Sequence, residues 1–399
     1  MVHIEGCVAA PKGFRAAGVR CGLKQRGLDV ALIYSEVPAA CAALFTTNKV
    51  KAAPVVLSTA HARTGRAQAI VANSGSANAC TGPRGLADAS QMADLAAERL
   101  GISHSDVLVC STGVIGRYLD MEKVERGIRA AARVASEGGG ADAAAAIMTT
   151  DTRPKMTAYE FEIGGTPVRI GGVAKGAGMI CPKVATLLAF VTTDAAIKPS
   201  VLRTSLERSV EGSLNSLTID GDMSTNDSVI ALANGAAGNP PITGPGQGLD
   251  SFQSALDVVS LELAREVARD GEGATKFVEV VVKNAASSGD ARAAAMAVAN
   301  SPLVKTAIFG KDPNWGRILA AAGRSGAALD PDKVDLYFGD LKIVEDGVPL
   351  DIPAEAARSP LSADELAIIL DLKVGDGSAR IFTCDFSYDY VKINAEYHT

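Results

Sequence analysis

Residues 172–194 read GVAKGAGMICPKVATLLAFVTTD, and one threonine in that stretch has the setting of a nucleophile. A glycine-rich loop carries a single lysine, Lys175. Pro182 then restricts the backbone, and small Ala185 precedes Thr186 at the mouth of an apolar run. A threonine hydroxyl attacks a carbonyl only when a base removes its proton. Histidine is the common base, and this chain holds just His3, His61, His104 and His398, two of them at the termini. Neither HExxH nor GxSxG occurs. A Ser-His-Asp arrangement is therefore a poor fit, and the base must come from elsewhere. Cutting the Ala185–Thr186 bond would expose an α-amine on Thr186 with a pKa of about 7.7–8. That amine accepts a proton near neutral pH and sits beside the hydroxyl by covalent geometry. One residue then supplies both nucleophile and base. The chain could make the cut itself: Thr186 Oγ1 attacks the Ala185 carbonyl, and water hydrolyses the resulting ester.

Acyl transfer also needs donors for the oxygen that gains negative charge. Residues 110–116 (CSTGVIG) offer the N–H of Gly113, where the missing side chain permits close approach, and the Thr112 hydroxyl. Each segment has a plainer reading. The first also describes a loop entering a core strand, and the second an ordinary strand-to-helix turn. A phosphate loop fits less well. Residues 176–178 begin like GxGxxG, but Cys181 fills the third glycine's place, and GxxxxGK[ST] is absent.

The elements that must position these residues follow from apolar periodicity. Residues 28–34 and 67–73 read as buried strands, and 107–110 as a short strand entering a turn at 111–116. Residues 167–170 form a strand followed by a loop at 171–178, and 186–193 another buried strand. Helical spacing covers 85–100, stopping at Gly101, and 122–135, where EGGG at 137–140 breaks it. Residues 239–248 (NPPITGPGQG) are the clearest linker. Beyond it the pattern predicts helices over 250–269 and 289–300 and a strand at 277–282. A hairpin of 334–338 and 341–344 turns about Gly339-Asp340. The expected class is mixed α/β, with a first domain over 1–240 around the candidate cut and a C-terminal α/β domain over 241–399.

Composition narrows the function. The 399 residues are 47% hydrophobic and carry a net charge of −6 without a basic run, which argues against nucleic-acid binding. No apolar stretch approaches the roughly 20 residues that span a bilayer. The N-terminal residues lack a signal-peptide core, so a cytoplasmic location is expected. Seven cysteines, an odd number with no CxxC, suggest neither a disulfide framework nor a zinc site.

Residues 175–195 resemble the cleavage-site signature of the ornithine acetyltransferases, the glutamate N-acetyltransferases of arginine biosynthesis. Further segments match in order: 73–82 (NSGSANACTG), 110–116, 146–151 (AIMTTD), 219–227 (IDGDMSTND), 270–276 (DGEGATK), 301–317 (SPLVKTAIFGKDPNWGR) and the tail 390–399. The resemblance implies self-cleavage between Ala185 and Thr186, an α chain of 1–185 and a β chain starting at 186. It makes Thr186 the nucleophile and gives the oxyanion hole to Thr112 and Gly113. Substrate contacts fall on Thr149, Lys175, Thr186, Glu272, Asn394 and Thr399. It implies the α/β sandwich of the D-aminopeptidase/esterase family, akin to N-terminal-nucleophile hydrolases. It also implies a dimer of αβ units and no cofactor, with acetyl-CoA a second donor for some members.

The implied reaction moves acetyl from N-acetylornithine to glutamate through acetyl-Thr186. Lys175 suits a substrate carboxylate, and Glu272 an amino group. Asn394 and Thr399 contribute only if the tail folds back, since termini ordinarily fray. The sequence departs from the family just before the cut. Cys181, Pro182, Lys183 and Val184 stand where members often have His, Pro, Asn and Met. Cys181 is thus a rival nucleophile, though no histidine lies near it in sequence. An aminopeptidase or amidase using water as acceptor, and a non-catalytic amino-acid-binding protein, are the alternative readings.

Overall fold

The computed structural model describes residues 1–181 and 187–396. Ala185, Thr186 and Thr399 therefore lie outside the described residues. Among the described residues the first sheet has nine strands: β1 (Val2–His3), β2 (Phe14–Val19), β3 (Val30–Phe45), β4 (Arg66–Ser76), β5 (Val107–Val114), β6 (Lys155–Ile163), β7 (Thr166–Lys175), β8 (Leu188–Thr193) and β9 (Ser228–Ala233). Their spatial order is β1-β6-β7-β8-β9-β3-β4-β5, with β2 paired to β3. Strands β8 and β9 run parallel in the middle of it, Leu188 opposite Ser228, and every residue of both is buried.

Side chains alternate as a strand demands. Leu188, Phe190, Ile230 and Leu232 enter one core with Cys7, Val8 and Phe14. Ala189, Val191, Val229 and Ala231 enter the other.

Among the described residues, helices α1 (Ala53–Ala62), α2 (Gly82–Leu100), α3 (Met121–Val134), α4 (Gly140–Ala146), α5 (Pro199–Glu211) and α6 (Gln247–Arg269) belong with this sheet. Helices α2 and α3 cover β3–β5 through Met92, Ala96, Val124 and Ile128. As the sequence predicts, α2 stops at Gly101, which takes the left-handed φ of 66° that lets its N–H cap Ala97 O. Helices α5 and α6 cover β7–β9 through Leu202, Leu206, Leu256, Val259 and Leu263.

A second sheet holds β10 (Phe277–Ala285), β11 (Asp335–Phe338), β12 (Leu341–Glu345), β13 (Val348–Pro349), β14 (Glu365–Asp371) and β15 (Gly377–Cys384), in the order β13-β12-β11-β14-β10-β15. Helices α7 (Ser288–Ala299), α8 (Pro302–Phe309) and α9 (Trp315–Gly323) pack on it. Two short helices, α10 (Ala354–Arg358) and α11 (Tyr388–Glu396), complete the chain. The mixed α/β class and the hairpin about Gly339 agree with the sequence reading.

Three expectations change. Residues 171–175 continue strand β7 and are not a loop. Gly171 sits where a Cβ would strike Cys7 O, and at Gly172 it would come within 2.9 Å of the Leu263 and Val259 side chains. These glycines permit close packing against a strand and do not mark a turn. Strand β5 likewise runs on to Val114 through the expected turn. Finally, the linker at 239–248 does not separate two cores. Helix α6 follows it yet packs on the first sheet, and the second sheet starts only at Phe277. Among the described residues, no helix is long and apolar enough to cross a membrane.

Candidate active site

Strand ends of the first sheet, the loops that follow them and the C-terminal helix meet around a cavity of about 230 Å³. Strand β5 brings Thr112 and Gly113 to it, and strand β7 ends there with Lys175. Thr149 comes from the α4–β6 connection, Glu272 from the α6–β10 loop and Asn394 from α11. These six expected residues all line the one space. Thr186 lies outside the described residues, but its covalent neighbour Leu187 is buried, and the Leu187 carbonyl accepts from Ser228 N at 3.0 Å.

Gly113 owes its presence to backbone crowding. It lies opposite Gly75 in the parallel β4–β5 ladder, where the register shifts at Gly75 and Ser76. A Cβ on Gly113 would stand 2.6 Å from Gly75 C, and its φ of 125° suits glycine alone. Asn226, at the entry to β9, fixes this corner. Its Nδ2 donates to Ala77 O at 2.6 Å and to Ser111 O at 2.8 Å. Ser111 Oγ donates to Asn73 Oδ1 at 2.6 Å. The two donors expected for an oxyanion thus stand on a braced strand end.

A buried ionic chain supports the opposite wall. Lys155 Nζ donates to Asp151 Oδ1 and to Asp270 Oδ2, both at 2.6 Å, with its side chain fully buried. Asp151 also accepts from Thr149 N at 3.0 Å and Gly176 N at 2.7 Å. The carboxylate pair therefore joins the Thr149 turn, the end of β7 and the loop that carries Glu272. Burial works to raise the Asp151 carboxyl, but Lys155 and Lys175 outweigh it and hold the group below the usual carboxylate range. Lys175 donates to Thr149 Oγ1 at 3.4 Å. Burial lowers its pKa, while Asp151, Asp227 and Glu272 act to keep it charged. A carboxylate entering the cavity would strengthen that charge.

The segment before the expected cut is pinned by another carboxylate. Asp220 accepts from Met179 N at 2.6 Å and Ile180 N at 2.9 Å, and Met179 holds a φ of 56°. Glu272 N donates to Ala177 O at 2.7 Å, and a side chain on Gly178 would collide with the Glu272 carboxyl. The tail does fold back as far as Asn394, whose Nδ2 donates to Glu272 Oε2 at 2.8 Å. Helix α11 is seated by Ser387 Oγ donating to Gly273 O at 2.5 Å and by Phe386 stacking on Tyr390.

The sequence reading assigned no role to Asp151, Asp220, Asn226, Asp227 or Tyr390. The signal was present in residues 219–227, where three acidic residues and an asparagine precede Ser228 and the apolar run 229–233. Polar residues at such an entry must have partners. Cys181 is half-buried, and burial with nearby Asp220 raises its thiol pKa. That environment disfavours the thiolate a nucleophile needs.

Comparison with known proteins adds four findings. The model of the ArgJ family matches residues 15–399. The arginine biosynthesis bifunctional protein ArgJ of Symbiobacterium thermophilum is 54% identical over the full length of both chains. That of Geobacter sulfurreducens is 53% identical over 97% of this chain and 99% of its own. The crystal structure of arginine biosynthesis bifunctional protein ArgJ from Bacillus halodurans is 41% identical with a TM-score of 0.51, covering 52% of this chain and 98% of its own.

Proposed function

The chain belongs to the ArgJ family, and from that premise we propose that it transfers acetyl from N-acetylornithine to glutamate through acetyl-Thr186. The observation that carries the proposal is the convergence of Thr112, Gly113, Thr149, Lys175, Glu272 and Asn394 on one cavity. Self-cleavage at Ala185–Thr186 prepares the nucleophile. The Bacillus halodurans chain supports this step, because it matches over nearly its whole length yet spans only 52% of this chain. A cut after 185 divides the 399 residues into pieces of about that size.

In the reaction, Lys175 pairs with the α-carboxylate of N-acetylornithine, and Glu272, held by Asn394, faces its side-chain ammonium. Thr186 Oγ1 attacks the acetyl carbonyl while the Thr186 amine takes the hydroxyl proton. Thr112 Oγ1 and the Gly113 N–H donate to the oxyanion. The C–N bond then breaks, and the proton passes from the Thr186 ammonium to the departing ornithine nitrogen. Glutamate binds in the same cavity. Its α-amine attacks the ester carbonyl, Thr186 Oγ1 leaves and is reprotonated, and N-acetylglutamate departs. No external cofactor takes part. The word bifunctional in the relatives' names supports acetyl-CoA as a second donor to the same threonine. Dimers of αβ units and a cytoplasmic location complete the proposal.

Intact-mass analysis with N-terminal sequencing tests the cut, and initial-rate kinetics test the transfer. A fragment beginning at Thr186 and parallel double-reciprocal lines are expected. An uncut active chain would overturn the first point. Acetate release independent of glutamate would favour the amidase reading. Incubation with acetyl-CoA and glutamate decides the second donor.

A further inference from the structure

Ornithine and glutamate make opposite demands on one end of the cavity. In both, the terminal polar atoms of the side chain stand the same number of bonds from Cα. With the α-carboxylate on Lys175, the γ-carboxylate of glutamate therefore falls where the ornithine ammonium was. Glu272 stands at that end with Asp220 and Asp222, all three lining the cavity and near enough to act on Tyr390. Among the described residues of the cavity wall, Lys175 is the one cation. A second cation would attract glutamate but repel ornithine. A neutral hydrogen-bond donor serves the γ-carboxylate without that conflict.

The Asn394 amide is already committed, since its Nδ2 donates to Glu272 Oε2 at 2.8 Å and to Tyr390 O at 3.0 Å. The Tyr390 hydroxyl is not held so firmly. It donates to Asp220 Oδ2 at 3.4 Å, longer than an ordinary O–H···O bond. We propose that Tyr390 is a specificity-determining residue for the acceptor, its hydroxyl turning from Asp220 to donate to the γ-carboxylate of glutamate. The inference rests on the transfer reading above. Burial, then Asp220, Glu272 and Asp222, push the phenol pKa up, so the group stays a neutral donor. The ring itself is anchored. It stacks on Phe386 with centroids 4.3 Å apart, and Lys305 Nζ stands 4.5 Å from the Phe386 centroid. Gly273 lets the backbone of α11 close in, for a Cβ there would strike Tyr390 N. When the hydroxyl turns, Asp220 keeps its bonds from Met179 N and Ile180 N. The exchange therefore gives up a weak bond for a charge-assisted one.

The test compares full-length wild type with Tyr390→Phe, which deletes the hydroxyl and keeps the ring on Phe386. We expect KM for glutamate to rise about tenfold, the cost of one hydrogen bond to a charged group. KM for N-acetylornithine should change by less than about threefold. Ornithine release in a single turnover without glutamate should keep its wild-type rate, because that half of the reaction does not use the hydroxyl. An unchanged KM for glutamate would overturn the proposal. So would an equal rise in both KM values, which marks a merely structural role for the tail. If Tyr390→Phe fails to fold, a crystal structure of wild type soaked with glutamate decides instead. A γ-carboxylate within hydrogen-bond distance of the Tyr390 hydroxyl supports the proposal, and one bound to other groups overturns it. A wild type that moves no acetyl from N-acetylornithine to glutamate sinks the transfer reading, and the Tyr390 role with it.

Discussion

Thr112 and Gly113 are adjacent, yet replacing them has different consequences. Thr112→Val removes one oxyanion donor and keeps the side-chain shape. It should lower kcat about 100-fold with an unchanged urea midpoint. Gly113→Ala places a Cβ 2.6 Å from Gly75 C at a φ of 125°. The β4–β5 strand ends must part, and urea titration should show a loss of about 2 kcal/mol. The role expected of Gly113 was legible because a single segment displays it. Its partner Gly75 was not, since only the parallel ladder sets the two glycines face to face. Asp151 was equally hidden, and it gives a pH prediction. Its folded pKa lies below the usual value, with Lys155 and Lys175 outweighing burial. Its contribution is therefore complete above the unfolded value of about 3.9 and is lost as pH falls toward the folded one. Asp151→Asn should be destabilised by about 3–5 kcal/mol at pH 7. The gap to wild type should narrow below about pH 4, and urea titrations at both pH values check it.

At the scale of elements, α11 shows how a terminal segment can serve a site without a core of its own. None of its residues is buried. It is held by Ser387 on Gly273, by the Phe386–Tyr390 stack and by Asn394 on Glu272. Asn394→Ala removes a donor from the Glu272 carboxylate but leaves the β7 end and the oxyanion corner untouched. The expected result is a KM for N-acetylornithine raised about tenfold with kcat within about threefold and normal cleavage. Unchanged KM would show that Glu272 needs no support from the tail. Element types were legible wherever apolar periodicity had only one interpretation, as in α2 with its terminal Gly101. They were misread where glycine served packing. Gly171 and Gly172 look like a loop in sequence, but they let β7 run beneath Cys7 and α6. Periodicity also could not tell that α6, beyond a proline-rich linker, returns to the first sheet. That choice is made by which apolar faces remain uncovered, which is a property of the assembled fold.

For the whole molecule, the position of the proposed cut matters more than its chemistry. Residues before it supply β1–β7, and residues after it supply β8 and β9 to the middle of the same sheet. Strand β8 pairs with β7 from Ile170↔Thr193 to Lys175↔Leu188, and β9 pairs with β3 from Ala40↔Ala233 to Phe45↔Ser228. Separating the fragments would break both ladders and expose Phe190, Ile230 and Leu232, which are buried among residues of the first fragment. Each fully buried apolar side chain of that size contributes about 1.5–3 kcal/mol, so burial and both ladders oppose dissociation of the fragments. The fragments should therefore coelute in native buffer and lose structure together in one urea transition. Their refolding, unlike that of an uncut chain, should depend on protein concentration, because two chains must meet to rebuild one sheet. Size exclusion, paired circular dichroism and activity titrations, and recovery of activity at several dilutions measure these three points. Two separate transitions, or concentration-independent recovery of the cut protein, would contradict a sheet interleaved from both fragments.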